Sequence, residues 1–184
     1  MTNSATLAFR PAAPKDAESV ARLHADSWRR HYRGAYSDAF LDGDIEGDRF
    51  QVWTSRLSTP DGTTSTILAE IENRLIGFVH LIFDCDAEYG TLLDNLHVVV
   101  DHKRQGIGTQ LMSRAAGAVA VRGVGGLYLW VLEQNVAAQA FYQARGGLCT
   151  DRRLVEPPGG IPGRLSGSPA ALRYAWPEPA TLLV

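Results

Sequence analysis

The sequence predicts a mixed α/β (α+β) fold, a mostly antiparallel sheet of about seven strands flanked by helices. Three observations carry that expectation. Two runs rich in β-branched and aromatic residues, 66–71 and 75–83, are separated only by Glu72-Asn73-Arg74, the pattern of a hairpin. Stretches of helical period open the chain and recur between later strands. A continuous apolar run, Leu127-Tyr128-Leu129-Trp130-Val131-Leu132, follows a strand and a helix. Such a run suits a central strand covered on both faces, and strand–helix–strand order implies a right-handed crossover.

The elements follow in order. Leu7-Ala8-Phe9-Arg10 is the first expected strand. Pro14 stands where a helix begins, with Asp16 and Glu18 in its first turn against the positive end of the dipole. That helix runs to about residue 30, with Val20, Leu23, Ser27 and, offset by one, Ala17, Ala21 and Trp28 on its inner stripe. Ser37-Asp38 caps a short helix through Leu41, and a third helical stretch spans 45–57. Ser58-Thr59-Pro60-Asp61-Gly62 is a turn by composition. After the hairpin, a strand over 91–99 continues the antiparallel sheet. The next helix, about 106–121, carries Ile107, Leu111, Ala115 and Ala118 on one side and is stopped by Gly123, Gly125 and Gly126. A helix over 135–145 ends at Gly146-Gly147 and lines up Asn135, Gln139 and Tyr142 on one face. Residues 148–155 and 170–176 read as closing strands around a Pro- and Gly-rich loop, 156–169, and the tail beyond Pro177 as loosely held.

At 184 residues the chain suits one domain, 1–184, with a sizeable core. A formal net charge of −2 gives no global attraction to nucleic acid or anionic membranes, so any cationic site must be local. Two cysteines, Cys85 and Cys149, are too few for a stapled fold and lack metal-ligand spacing, so reduced, buried thiols are expected. The five histidines, His24, His31, His80, His97 and His102, match no ligand motif, and no metal is expected. Neither a leader-like N-terminus nor an apolar run of about 20 residues is present, which points to a cytoplasmic protein.

The chemistry concentrates where Leu96-His97-Val98-Val99-Val100 gives way to Arg104-Gln105-Gly106-Ile107-Gly108-Thr109-Gln110-Leu111. A glycine turn opening a helix offers free N–H groups and a positive dipole end to a phosphate, and Lys103 and Arg104 add charge at the rim. A dinucleotide fingerprint lacks its third glycine here, and no Gly-Lys pair exists for a P-loop. An ordinary tight turn is the plain alternative.

Taken with the later block Asn135-Val136-Ala137-Ala138-Gln139-Ala140-Phe141-Tyr142-Gln143-Ala144-Arg145-Gly146, the turn resembles the GNAT superfamily of acetyl-CoA-dependent N-acetyltransferases. The family pairs a Gln/Arg-x-x-Gly-x-Gly/Ala turn with an Asn-x-x-Ala-x-x-Phe-Tyr helix, and the inferred element order agrees along nearly the whole chain. Lys103 replaces the usual Gln or Arg, keeping the charge, and Val100 stands where proline is common. The resemblance implies a V-shaped splay between the fourth and fifth strands that holds acetyl-CoA. The backbone of His97, Val98 and Val99 would meet the pantetheine arm. The pyrophosphate would lie on the N–H groups of Gln105, Gly106, Ile107, Gly108, Thr109 and Gln110, with Arg104 beside it. Asn135 would reach the pantetheine and Tyr142 the CoA sulfur, although Asn135 also suits a helix N-cap and Tyr142 a half-buried aromatic. The acceptor would be an amine of a small molecule or a peptide, and homodimers occur in the family.

Attack of an amine on a thioester needs a neutral amine, a stabilised oxyanion and a proton for the thiolate. Tyr142 is the expected donor, and a strand N–H near Val98 the group that polarises the carbonyl. The glutamates common in the family align with Leu92 and Trp130, which take no proton. Asp94 and His97 are the nearby candidates, with water as the other route. Their three-residue separation places them on opposite faces of a regular strand, so one alone would face the cleft. His97 also suits a packed strand position. Trp28, His31 and Tyr32, with Tyr36, are expected beside the acceptor, Tyr32 foremost, and the loop near 157–162 at its mouth. Without a glutamate, two other readings stand: a non-catalytic acyl-CoA-binding or regulatory module, and a transferase of longer acyl groups.

Overall fold

The computed structural model describes residues 6–58, 61–123 and 125–184. Met1 to Ala5, and Thr59 and Pro60 of the expected turn, lie outside these. Seven strands form one sheet: β1 (Leu7–Pro11), β2 (Thr64–Ile71), β3 (Arg74–Asp86), β4 (Gly90–Val98), β5 (Leu127–Leu132), β6 (Leu148–Leu154) and β7 (Ala170–Trp176). Their spatial order is β1-β2-β3-β4-β5-β7-β6, antiparallel throughout except for β4 beside β5. The strand–helix–strand segment thus supplies the single parallel pair, as its length requires. Among the described residues, five α-helices flank the sheet: α1 (Ala17–His31), α2 (Asp38–Asp42), α3 (Ile45–Ser58), α4 (Ile107–Arg122) and α5 (Val136–Gln143).

The helices divide between the two faces. On one, Val20, Ala21 and Leu23 of α1 and Trp53 and Leu57 of α3 are buried against Leu68 and Phe78 of the sheet. On the other, Ile107, Leu111, Ala115 and Val119 of α4 join Leu93, Leu129 and Trp176, with Tyr142 of α5 in the same cluster. The start of α1 is tied to the sheet by Arg10, which donates to Asp16 at 2.7 Å and to Glu70 at 2.7 Å.

Two expectations are corrected. The tail beyond Pro177 is not loosely held: Pro179–Leu182 forms a 3-10 turn with Pro179 and Leu182 buried, and the Val184 N–H donates to Ser113 Oγ at 3.1 Å. Leu182 joins the apolar cluster that α4 forms with the sheet. Cys85 and Cys149 are free thiols but exposed, not buried. Cys85 lies near the end of β3 beyond the packed core, and Cys149 lies on β6, the sheet's outermost strand, whose residues are exposed along its whole length. Among the described residues, no helix is long and apolar enough to cross a membrane and no His/Cys/Asp/Glu group could hold a metal.

Candidate active site

The sheet opens at its parallel pair. Only Thr91↔Leu127 and Leu92↔Tyr128 are in register, and beyond them β4 and β5 diverge, leaving the expected V-shaped splay. Val99 donates its N–H to Ile76 of β3 at 2.8 Å, and the His97 carbonyl lies against Gly77 of the same strand. Alternation along β4 then turns the N–H and C=O of Val98 toward the splay.

At the outer end of β4, a 3-10 turn, Val100–His102, leads into two left-handed residues, Arg104 at φ 63° and Gly106 at φ 77°. Gly106 is the N-cap of α4, and the first intrahelical bond runs from the Gln110 N–H to the Gly106 carbonyl at 3.0 Å. The N–H groups of Ile107, Gly108 and Thr109 therefore lie in the unpaired first turn, where a helix binds anions. The space beside Gly106 is open, whereas a Cβ at Gly108 would sit 3.3 Å from the Phe141 ring. The second glycine thus serves the close packing of α5 on α4. Gln105 reaches back to the Asp101 carbonyl at 3.3 Å, and Arg145 hydrogen-bonds Thr109 while stacking over Phe141.

Helix α5 borders the opening from the α4 side. Asn135 is its N-cap, its Oδ1 accepting from the Ala138 N–H at 3.2 Å. Gln139 Nε2 donates to the Glu133 carbonyl at 2.7 Å, fixing the end of β5. Tyr142 is buried, against Tyr174 and Trp176. Burial holds its phenol well above the ordinary range, and Tyr32 is close enough to raise it further.

A cavity of about 290 Å³ lies on the opposite face, between the sheet and helices α1 and α3. Trp28, Tyr32, Tyr36 and Trp130 give it aromatic walls, and Leu92 lies among them. Trp28 stacks on Tyr32 at 5.4 Å and meets Tyr36 edge-on at 5.0 Å. Burial, and then the charge of Asp94, push the Tyr32 phenol up to about 12. His31 does not line this cavity; its Nε2 lies 2.8 Å from Lys103 Nζ, at the rim of the glycine turn, and burial and that ammonium lower its pKa.

Asp94 and His97 share a face, contrary to the alternation expected of a regular strand. His80 pairs with Asn95 and Leu81 with Leu93, so Asp94 is an extra residue and the pleat shifts by one. Asp94 lines the cavity and accepts from Arg56 at 2.8 Å. His97 lies behind it on the same side, its Nδ1 2.7 Å from Ser27 Oγ and its ring 4.9 Å from that of His24. Burial depresses His97 to about 3, so its imidazole is neutral. His24 also borders the cavity, and its Nδ1 accepts from Trp53 Nε1 at 3.0 Å, which fixes the neutral tautomer with hydrogen on Nε2.

Sequence reasoning missed the cavity's charges. Arg49, Arg56, Arg153 and Glu156 all line it beside Asp94. Arg49, Trp53 and Arg56 fall at i, i+4 and i+7 on α3, a face signal available in the sequence. Arg153 comes from the far edge of the sheet and had no such signal.

The sheet is thus splayed at its parallel pair, with the glycine-turn helix on one face and an open-mouthed cavity on the other. The GNAT acetyltransferase family model matches residues 18–147, and the chain belongs to that family of enzymes. It is similar to YuaI of Bacillus subtilis, described as an uncharacterised N-acetyltransferase, with 27% identity over 138 residues, 73% of this chain and 76% of that one. Its fold is that of the PaiA N-acetyltransferase from Thermoplasma acidophilum solved with coenzyme A (TM-score 0.72, 19% identity, 93% and 99% of the two chains). It is also that of Arabidopsis thaliana NAA60 solved with a bisubstrate analogue (TM-score 0.66, 20% identity, 93% and 97% of the two chains).

Proposed function

We propose that the protein moves an acetyl group from acetyl-CoA to a primary amine by direct attack in a ternary complex. The observation that carries this reading is the splay itself. β4 and β5 part there and both line the aromatic cavity, so a thioester threaded between them would meet an amine held in that cavity. The coenzyme A in the PaiA structure supports the donor.

In this reading, the pyrophosphate rests on the first turn of α4, with Arg104 and Lys103 beside it, and Asn135 and the backbone of β4 hold the pantetheine. The amine nitrogen attacks the thioester carbon, and the Val98 N–H stabilises the oxyanion. Collapse breaks the C–S bond, and Tyr142 gives its proton to the departing thiolate. A phenol whose pKa is raised by burial keeps that proton until the sulfur needs it. The proton released by the attacking amine goes to Asp94 through water. His97, buried and hydrogen-bonded to Ser27, does not line the cavity and takes no part in this reading. Trp28, Tyr32 and Tyr36 hold the body of the acceptor, and much of the acceleration comes from positioning.

Initial velocities measured while acetyl-CoA and an accepted amine are both varied test the reading. Double-reciprocal lines that intersect are expected. Parallel lines, with acetyl groups retained on the protein in the absence of amine, would replace direct attack by an acyl-enzyme route.

A further inference from the structure

The lining charges of the cavity are three guanidiniums, Arg49, Arg56 and Arg153, and two carboxylates, Asp94 and Glu156. Two of the guanidiniums are already occupied: Arg49 pairs with Asp48 at 2.5 Å and Arg56 with Asp94 at 2.8 Å. Arg153 makes no ion pair among the described residues. Instead its guanidinium lies 3.9 Å over the ring of Trp130, and since Arg173, also over that ring at 5.4 Å, is paired with Asp151, Arg153 is the cation on this aromatic floor without an ion-pair partner. Trp130 is held by the sheet: Trp130 pairs with Arg173 and Leu132 with Ala171, while Arg153 pairs with Ala171, which puts all three strands' inward side chains on one face. An arginine fork stacked on an indole keeps its N–H edge free for an oxyanion. Glu156, the other lining charge without a partner in an ion pair, is of opposite sign.

The geometry points to an acceptor that carries a carboxylate as well as its amine, on a small apolar or aromatic body: an amino acid or a compound of that kind. Its carboxylate takes the free edge of Arg153, its body lies against Trp130 and the aromatic wall, and its amine faces the splay. A polyamine, with no anion to offer and three guanidiniums in front of it, is disfavoured. The size agrees, since about 290 Å³ is at the small end of ligand pockets. This inference rests on the cavity being the acceptor site, and it names the acceptor's chemical class.

The test compares amino acids with the amines left when their carboxylate is removed: alanine and ethylamine, leucine and isoamylamine, phenylalanine and phenethylamine, with spermidine added. For the best-accepted pair, kcat/KM for the amino acid should exceed that for the decarboxylated amine by about 10-fold or more, the worth of a charge-assisted hydrogen bond. Arg153→Gln should bring the ratio to about 1, because the neutral amide no longer matches the carboxylate. Arg22→Gln, on the exposed side of α1, should leave the ratio as it is. Calorimetric titration of each compound into the protein saturated with CoA reads the same preference without any chemistry. Binding that prefers the amino acid and falls about 10-fold in Arg153→Gln upholds the inference even if no acetyl transfer occurs, a result that would instead overturn the transferase reading. Transfer to decarboxylated amines or spermidine with equal or greater efficiency overturns the inference and leaves the transferase reading standing. A ratio that survives Arg153→Gln overturns it too.

Discussion

In the proposed reaction Tyr142 gives a proton and Asp94 receives one, and of the two Tyr142 is the buried group. Tyr142 is buried among aromatic rings, which disfavours its anion and preserves its proton. Tyr142→Phe should therefore lower kcat by about 100-fold or more, the usual worth of a general acid, while KM for acetyl-CoA moves by less than about threefold. Thiol release at saturating substrate and at the pH optimum of each form measures both, and an unchanged kcat would remove Tyr142 from the reaction. The buried histidines give a second expectation. Burial lowers His97 to about 3 and His80 to about 4, against 6.5 for a free imidazole, and His24 well below it. The folded state thus binds fewer protons than the unfolded chain between these limits. The histidines' contribution to stability is complete above pH 6.5 and is lost as pH falls toward 4 and below, by up to about 1.4 kcal/mol per pH unit for each. Urea unfolding at stepped pH should show it, and His80→Gln should flatten the slope over pH 6.5 to 4; an equal slope would mean His80 titrates normally. At these positions the sequence was legible where a signal is local. Asn135 as an N-cap and Trp28 and Tyr32 on one end of α1 followed from spacing. The shared face of Asp94 and His97 did not, because a bulge is a register shift between two strands and leaves no mark in either alone.

The glycine turn, α4 and α5 act as one unit. Gly106 is needed for its left-handed backbone and Gly108 for the approach of Phe141, so the two glycines of one motif answer to different constraints. Gly106→Ala should cost about 1–2 kcal/mol from the strained backbone and should weaken acetyl-CoA binding by tilting the first-turn N–H groups. Chemical denaturation and calorimetric titration of acetyl-CoA would read the two effects separately; full affinity in a folded variant would place the phosphates elsewhere. The C-terminal 3-10 turn belongs to the same unit through α4. Leu182 is 5% exposed in the α4 cluster, so Leu182→Ala should cost about 2–4 kcal/mol in urea unfolding, and a loss below about 0.5 kcal/mol would show a tail that merely rests there. Helical and hairpin periods made most elements readable. This turn escaped because Pro179-Ala180-Thr181-Leu182 is too short to show a period, and its burial comes from α4, about 60 residues earlier in the chain.

For the molecule as a whole, the decisive feature is that the sheet is split at β4 and β5, the one parallel strand pair among the described residues. Antiparallel neighbours on both sides hold the two halves while β4 and β5 part after Leu92 and Tyr128, and in the proposed reaction donor and acceptor meet through that gap. The element order and the strand–helix–strand crossover were legible, since hairpin spacing, helical period and a continuous apolar run are local signals. The full set of charges around the cavity was not, because they come from α3, β4, β6 and the following loop, which only the folded sheet brings together. The most direct measurement incubates the purified protein with acetyl-CoA and the amino acids and amines named above, and quantifies free CoA and acetylated amine together. Equal amounts of the two products, formed far faster than in buffer and abolished by omitting either the protein or the amine, are expected. Acetyl-CoA that binds yet is consumed no faster than in buffer with every amine supplied would contradict it.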